Sequence, residues 1–400
     1  MTPSTVDNFS RFFAELFEDK SLITVAKGFQ GMFGRAETGG RTIMTDQLVV
    51  DIDIKRGNKK IAALIPRGTV SRSIGTTQRN LSTEKFSTFS RKFPLAEEEG
   101  DITAEVLNAS VAGESPYDAR AKLSRLRSRG VDIVMENIRR IGDMFEVLAA
   151  QSILTGKMDS IIGTSDTELQ YDFRRKSDHT VSISDKWDGG SAAIIDDIES
   201  ACDKVKTDGR IRPDILCLGG EAHSAFINDT DVQAQADNRR FELIQVSLNF
   251  PVPANLTYMV TAGWTAYGRL RTPKGYELWI FVNQDYYENN AGTVVDYMPQ
   301  DQALIMGSQA RLDRYFGPGE TLPMIGAKRQ LYSDMFGISP ESPPAPMGTF
   351  DNGIIRPDMF YHDAYVSGDW KKVTMRTQAA PIFATNHTDA FVTLTDLLTT

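Results

Sequence analysis

The sequence predicts an α+β protein with one very long helix and a large share of extended chain outside any compact unit. Three observations lead there. Leu48, Val50, Ile52 and Ile54 alternate with Val49, Asp51, Asp53 and Lys55, the period of a half-buried strand. Val131, Val134, Ile138, Ile141, Phe145 and Leu148 recur at the three-to-four spacing of a helix stripe. Beyond residue 190, short apolar runs and turn residues succeed one another, as in a mixed α/β unit.

The elements follow in order. In "NFSRFFAELFEDK", Phe9, Phe12, Phe13, Leu16 and Phe17 share one helical face, and the glycine-rich "KGFQGMFGRAETGGR" behind it builds no compact element. A greasy helix on such an arm is expected to dock elsewhere. After the strand at 48–55, "RGNK" supplies a turn, and Ile61–Ile65 is expected to run back as the second strand of a hairpin.

From Arg67 to Lys92 the chain carries six Lys or Arg residues against one acid, Glu84, and has no core-facing stripe. Five acids follow between Glu97 and Glu105, a pair-forming or solvated run. A loop of about 28 residues without a core is improbable inside a compact domain, whereas a hairpin limb of about 14 residues reaches ~45 Å. Three readings stay open for such a segment: phosphate binding by its arginines, a solvated loop, or contact with another copy of the chain.

Ser115 is a good N-cap, Pro116 suits the first helical position and Gly156 a C-terminal stop, so the spine helix is expected over Pro116–Thr155, about 60 Å long. "MDSIIGTSDTELQYDFRRKSDHTVSI" reads as a polar β-hairpin. Ile194, Ile195 and Ile198 mark a helix, "PDILCLG" a buried strand and "GEAHSAFIND" a short helix. "YMVTAGWTAYGRL", "YELWIFVNQDYY" and "QALIMGSQARL" read as strands and turns. A Pro-rich loop, "GISPESPPAPMG", precedes a C-terminal pair of strands in "WKKVTMRTQ" and "AFVTLTD".

The net charge of −9 argues against a general nucleic-acid binder, and no apolar run approaches the ~20 residues of a membrane span. Cys202 and Cys217 form no Cys-x-x-Cys motif and read as reduced core residues. "TGKM" at 155–158 lacks the glycine that a phosphate loop needs at position 151, where Gln stands. His179, His223, His362 and His387 lie at no metal-ligand spacing, and Glu97, Glu98 and Glu99 lack the pattern of a calcium loop. Trp279, Tyr286 and Tyr287 sit in strand-like sequence, where aromatics are more often core than stacking platforms. No catalytic, cofactor or metal residues are assigned, and the chain is not expected to be an enzyme.

The stretches "NIRRIGDMFEVLAAQSILTGKM", "WDGGSAAIIDDIESA", "GSQARLDRYFGP" and, above all, "SGDWKKVTMRTQAAPIFATNHTDAFVTL" resemble the lambda-type major capsid proteins of tailed bacteriophages. The resemblance implies an HK97-like capsid fold with an N-terminal arm at 1–45 and an extended loop at 46–115. It implies a peripheral domain with the spine helix at 116–189, an axial domain at 190–311 and a C-terminal return to the peripheral domain at 312–400. It further implies self-assembly as pentamers and hexamers into an icosahedral head enclosing double-stranded DNA. Arg67, Arg72, Arg79 and Lys85 of the loop, with Phe9, Phe12, Phe13, Leu16 and Phe17 of the arm, would then make intersubunit contacts.

The implied partners are a separate scaffolding protein, because the chain starts directly before the arm, a decoration protein, the portal, and packaged DNA contacted without sequence preference. Some relatives crosslink a loop lysine. No partners for Lys85 are identifiable, so no crosslink is expected. Arg125, Arg127 and Arg129 read first as an exposed helix face and second as a DNA contact. The implied location is the virion capsid, assembled in the bacterial cytoplasm without a membrane. The alternative is another virion structural protein, a tail or connector component.

Overall fold

A computed structural model describes residues 29, 42–45, 47, 49–55, 86–92, 94–103, 119–159, 170–190, 192–237, 241–243, 252, 256–289, 292–318, 350–351, 354–355, 360–366, 372–385 and 387–399. The first half of the chain supplies β1 (Thr42–Met44), β2 (Val49–Lys55), β3 (Phe86–Lys92) and β4 (Ala96–Thr103). The long helix α1 (Ala119–Thr155) follows, then the short strands β5 (Lys157–Asp159), β6 (Gln170–Asp172) and β7 (Thr180–Ser182). Next come α2 (Ile194–Lys204), β8 (Ile215–Leu218), α3 (Gly220–Asn228), α4 (Thr230–Asp237), β9 (Phe241–Leu243) and α5 (Thr257–Thr261). Strands β10 (Thr265–Arg271), β11 (Glu277–Val282), β12 (Tyr286–Glu288), β13 (Val294–Asp296), β14 (Ala303–Met306) and β15 (Leu312–Phe316) continue the chain. It closes with β16 (Phe350–Asp351), β17 (Ile354–Ile355), β18 (Tyr361–Val366), β19 (Lys372–Ala379), β20 (Pro381–Thr385) and β21 (Phe391–Thr395).

A seven-stranded mixed sheet, in the order β7-β21-β14-β8-β11-β10-β9, organises the molecule. Its central strands are apolar at successive positions because both faces are covered, and the period of two sorts their side chains between two cores. Ile215 and Cys217 of β8, with Leu304 and Met306 of β14, face the core shared with α1. Leu216, Leu218, Ala303 and Ile305 face the opposite core, formed with Ile194, Ile195 and Ile198 of α2 and Phe226 of α3.

The helix α1 spans 37 residues, about 55 Å. Its stripe of Val134, Ile138, Ile141, Phe145 and Leu148 is buried as the spacing predicts. The solvent side carries Arg139 and Arg140, both paired with Glu136, and Arg139 also reaches Asp143. The Glu136 carboxyl is held down at about 2, chiefly by its hydrogen bond from Arg139. Such exposed helix pairs stabilise by only a few tenths of a kcal/mol each, so the packed stripe dominates.

Two expectations change, and a third lies outside the described residues. Among the described residues β2 pairs with β3; the expected return strand, Ile61–Ile65, lies outside them. In "YMVTAGWTAYGRL" the first part is the short helix α5, and the strand starts only at Thr265. The two C-terminal strands are not a pair: β19 lies between β18 and β4, whereas β21 lies between β7 and β14.

Candidate functional site: the loop root and the helix joint

The β2–β3 ribbon is a seven-residue antiparallel ladder running from Val49 opposite Lys92 to Lys55 opposite Phe86. The chain therefore leaves the ribbon at Lys55 and re-enters it at Phe86. Residues 56–85 between them contain Arg67, Arg72, Arg79 and Lys85, which lie outside the described residues, as do Phe9, Phe12, Phe13, Leu16 and Phe17 of the arm. "FSTFSRK" makes a strand within the basic segment because Phe86, Thr88 and Phe89 favour extended chain and β2 supplies a ladder to pair with. Of the arm, Phe29 is described. Its ring is buried edge-on against Trp264 at 5.1 Å, and its amide donates to the Glu146 carboxylate of α1.

The acidic run forms strand β4, an edge strand laid across α1, where the sequence offered only a pair-forming or solvated segment. Register with β19 explains how the acids are tolerated. Glu97 accepts from Gln378 Nε2 at 2.5 Å and Arg376 Nη1 at 3.5 Å, Asp101 accepts from the Thr374 hydroxyl at 2.5 Å, and Glu98 lies 3.6 Å from Arg140 of α1. Asn137 of α1 donates to the Glu98 and Met375 carbonyls, bridging both strands to the helix. At Gly100 the strand approaches Ile133 so closely that a Cβ would stand 2.3 Å from its methyl group.

The far end of α1 meets the large sheet at a polar joint. Gly156, at φ +72°, turns the chain out of the helix, and its amide bonds back to the Ser152 carbonyl at 3.1 Å. Arg175 then caps the helix from the side. Its Nη1 donates to the Ile153 and Leu154 carbonyls at 2.9 and 2.8 Å, and its Nη2 to the His179 carbonyl at 2.8 Å and the Thr393 hydroxyl at 3.0 Å. Burial pushes the Arg175 guanidinium down to about 9, opposed by the nearby charge of Asp389, so it remains a cation at neutral pH. A cation suits a helix C-terminus, whose last carbonyls carry partial negative charge.

Next to it, His179 is fully buried, with Nδ1 3.0 Å from the Phe391 carbonyl and Nε2 3.2 Å from Asp208 Oδ2. Lys176 Nζ lies 2.5 Å from the other Asp208 oxygen. Asp208 sits in a wide π turn, Val205–Gly209, that extends α2. Sequence reading missed this joint because "RRK" at 174–176 sits in a polar stretch that looks solvated. The one available signal was the pair Arg174–Arg175 in the hairpin segment that follows the glycine helix stop.

Comparison with known proteins decides the family. The model of the family described as Phage major capsid protein E matches residues 22–324, more than half of the chain. The chain belongs to the phage major capsid protein E family. A crystal structure assigned as the capsid protein of an Escherichia coli CFT073 prophage superimposes with a TM-score of 0.58 at 15% identity, covering 96% of this chain and 97% of that one. The satellite phage P4 procapsid gives a TM-score of 0.42 at 8% identity, covering 93% of this chain and 95% of that one. The capsid of Ralstonia phage GP4 gives 0.40 at 11% identity, covering 91% and 87%. No curated protein matches the sequence.

The fold of this capsid-family member is therefore HK97-like, and its role is to form a phage capsid shell. The remaining sequence candidates take structural positions in it. His223 packs on Tyr267 with ring centroids 4.1 Å apart, and burial lowers its pKa. Trp279 and Tyr287 pack against the main core, and Tyr286 is exposed. Cys202 and Cys217 are buried free thiols, and burial pushes Cys202 up to about 12. Arg129 is exposed and lies 3.9 Å from Asp132. Among the described residues, no helix is long and apolar enough to cross a membrane.

Proposed function

We propose that this capsid protein assembles as pentamers and hexamers into the icosahedral head of a tailed phage, with residues 56–85 reaching over a neighbouring subunit. The observation that carries the reading is the β2–β3 root, which sends out 30 residues between Lys55 and Phe86 with five more Lys and Arg than acids over Arg67–Lys92. The β4–β18–β19 sheet and α1 serve as the peripheral domain. The seven-stranded sheet serves as the axial domain, and β7 and β21 support extending it beyond residues 190–311 at both ends. The arm at 1–45 docks partly in its own subunit through Phe29 and partly on a neighbour through its Phe-rich face. A separate scaffolding protein, a decoration protein, the portal and packaged DNA complete the partners, with assembly in the host cytoplasm.

Electron cryo-microscopy of purified protein with scaffold tests this. Pentamers, hexamers or closed shells are expected. Rings or tubes of a single symmetry would support a tail or connector component instead, and a homogeneous monomer at high concentration would refute both readings.

A further inference from the structure

Asp178, His179 and Asp208 offer three ligand atoms that all lie within 4.8 Å of one another. They come from two separate parts of the chain, the turn before β7 and the π turn after α2. The Phe391 carbonyl can only accept, so His179 Nδ1, 3.0 Å away, carries the ring hydrogen of the neutral tautomer. The Nε2 lone pair then points at Asp208 Oδ2, itself an acceptor, across 3.2 Å. Two acceptors at that distance require a cation between them.

A proton is one candidate and a metal ion the other. Bonds of about 2.0–2.1 Å in a tetrahedral zinc site place neighbouring ligand atoms about 3.3 Å apart, close to the 3.2 Å between His179 Nε2 and Asp208 Oδ2. A histidine Nδ1 held by a backbone carbonyl is also the arrangement that orients a metal-bound imidazole. Lys176 occupies Asp208 Oδ1 and so leaves Oδ2 for the ion, while Asp178 is exposed and gives an open side for entry and a bound water. The ammonium of Lys204 faces the same turn, donating to the Asp178 main-chain carbonyl at 2.8 Å.

We propose that His179, Asp208 and Asp178 bind a divalent transition-metal ion of the zinc type, fastening the turn before β7 to the end of α2 beside the helix joint. One imidazole with two carboxylates favours Zn²⁺ over Mg²⁺ or Ca²⁺, which prefer all-oxygen sites. An ion that binds only the folded chain raises its melting temperature.

Equilibrium dialysis of the purified full-length chain against ZnCl₂, with MgCl₂ as control, tests the site, alongside thermal melts. The expected result is saturable uptake of about one Zn²⁺ per chain with a raised Tm, lost in His179→Gln and weakened about tenfold or more in Asp178→Asn. Asp178 is exposed, so Asp178→Asn keeps the fold and decides the matter if His179→Gln does not fold. Uptake and Tm shift unchanged by Asp178→Asn, or no saturable uptake, would overturn the proposal and leave a proton alone between His179 and Asp208. Nitrogen-15 spectra showing both His179 ring nitrogens protonated in the presence of zinc would overturn it equally.

Discussion

The Thr393 hydroxyl accepts from Arg175 Nη2 at 3.0 Å and donates to the Leu154 carbonyl at 2.7 Å. One side chain of β21 thus joins the end of the spine helix to the arginine that caps it. Because β21 is an inner strand of the seven-stranded sheet, any change in the angle of α1 against that sheet must break or re-form this set of bonds.

Replacing Arg175 by Met is expected to destabilise the subunit by about 3 kcal/mol or more, since three carbonyls lose a donor and Asp389 loses its nearby cation. Arg175→Lys keeps the charge but not the planar fork, and should cost less, about 1–2 kcal/mol. Urea unfolding followed by fluorescence ranks the two. Equal stability of Arg175→Met and the parent chain would remove the cap from the account.

Two glycines of the same helix region should respond in opposite directions. Gly156→Ala meets both the φ of +72° and the Arg175 side chain, whose Cβ would lie 2.5 Å away, and should cost about 1–2 kcal/mol or more. Gly142 lies inside α1 with nothing within 4 Å of an added Cβ, so Gly142→Ala should stabilise by about 0.5–1 kcal/mol. Differential scanning calorimetry reads both signs.

Phe29→Ala removes a fully buried ring from the contact with Trp264, and a loss of about 3–5 kcal/mol is expected. The same variant should expose the arm near residue 29 to limited proteolysis in the unassembled subunit. Protection equal to the parent chain would mean that the arm is held by other contacts.

Acid should loosen the last residues early. Asp188 has its pKa lowered by hydrogen bonds from the Thr399 hydroxyl and amide, and Asp396 by the Ser182 hydroxyl. A carboxylate with a depressed pKa stabilises the fold above its ordinary value of 3.8, and that support fades as pH falls through the depressed value. The protection factor of the Thr399 amide, its exchange rate relative to an unfolded chain at the same pH, should therefore fall below about pH 4, and Asp188→Asn should reproduce part of that loss at neutral pH.

Charge reversal at Arg67, Arg72 and Arg79 tests the loop. Shell yield by electron microscopy should fall sharply while the Tm of the unassembled subunit stays nearly unchanged. A matching fall in both would place these residues in the subunit's own fold.

Features that depend on neighbours within a few residues were readable from the chain. The stripe from Val134 to Leu148, the buried run "ILCL" and the helix start at Ile194 each carry their own periodicity, because burial of one face repeats every 3.6 or two residues. Pairing was not readable in the same way. Backbone hydrogen bonds are indifferent to side-chain identity, so nothing local marked "FSTFSRK" as a partner of β2, or assigned β19 and β21 to separate sheets. The helix joint was further still from view. Arg175, His179, Asp208 and Thr393 are spread over more than two hundred residues, and each is an ordinary polar residue until the folded chain excludes water around them. Periodicity is written residue by residue, whereas partner choice and the cost of burying a charge exist only once distant segments share one low-dielectric space.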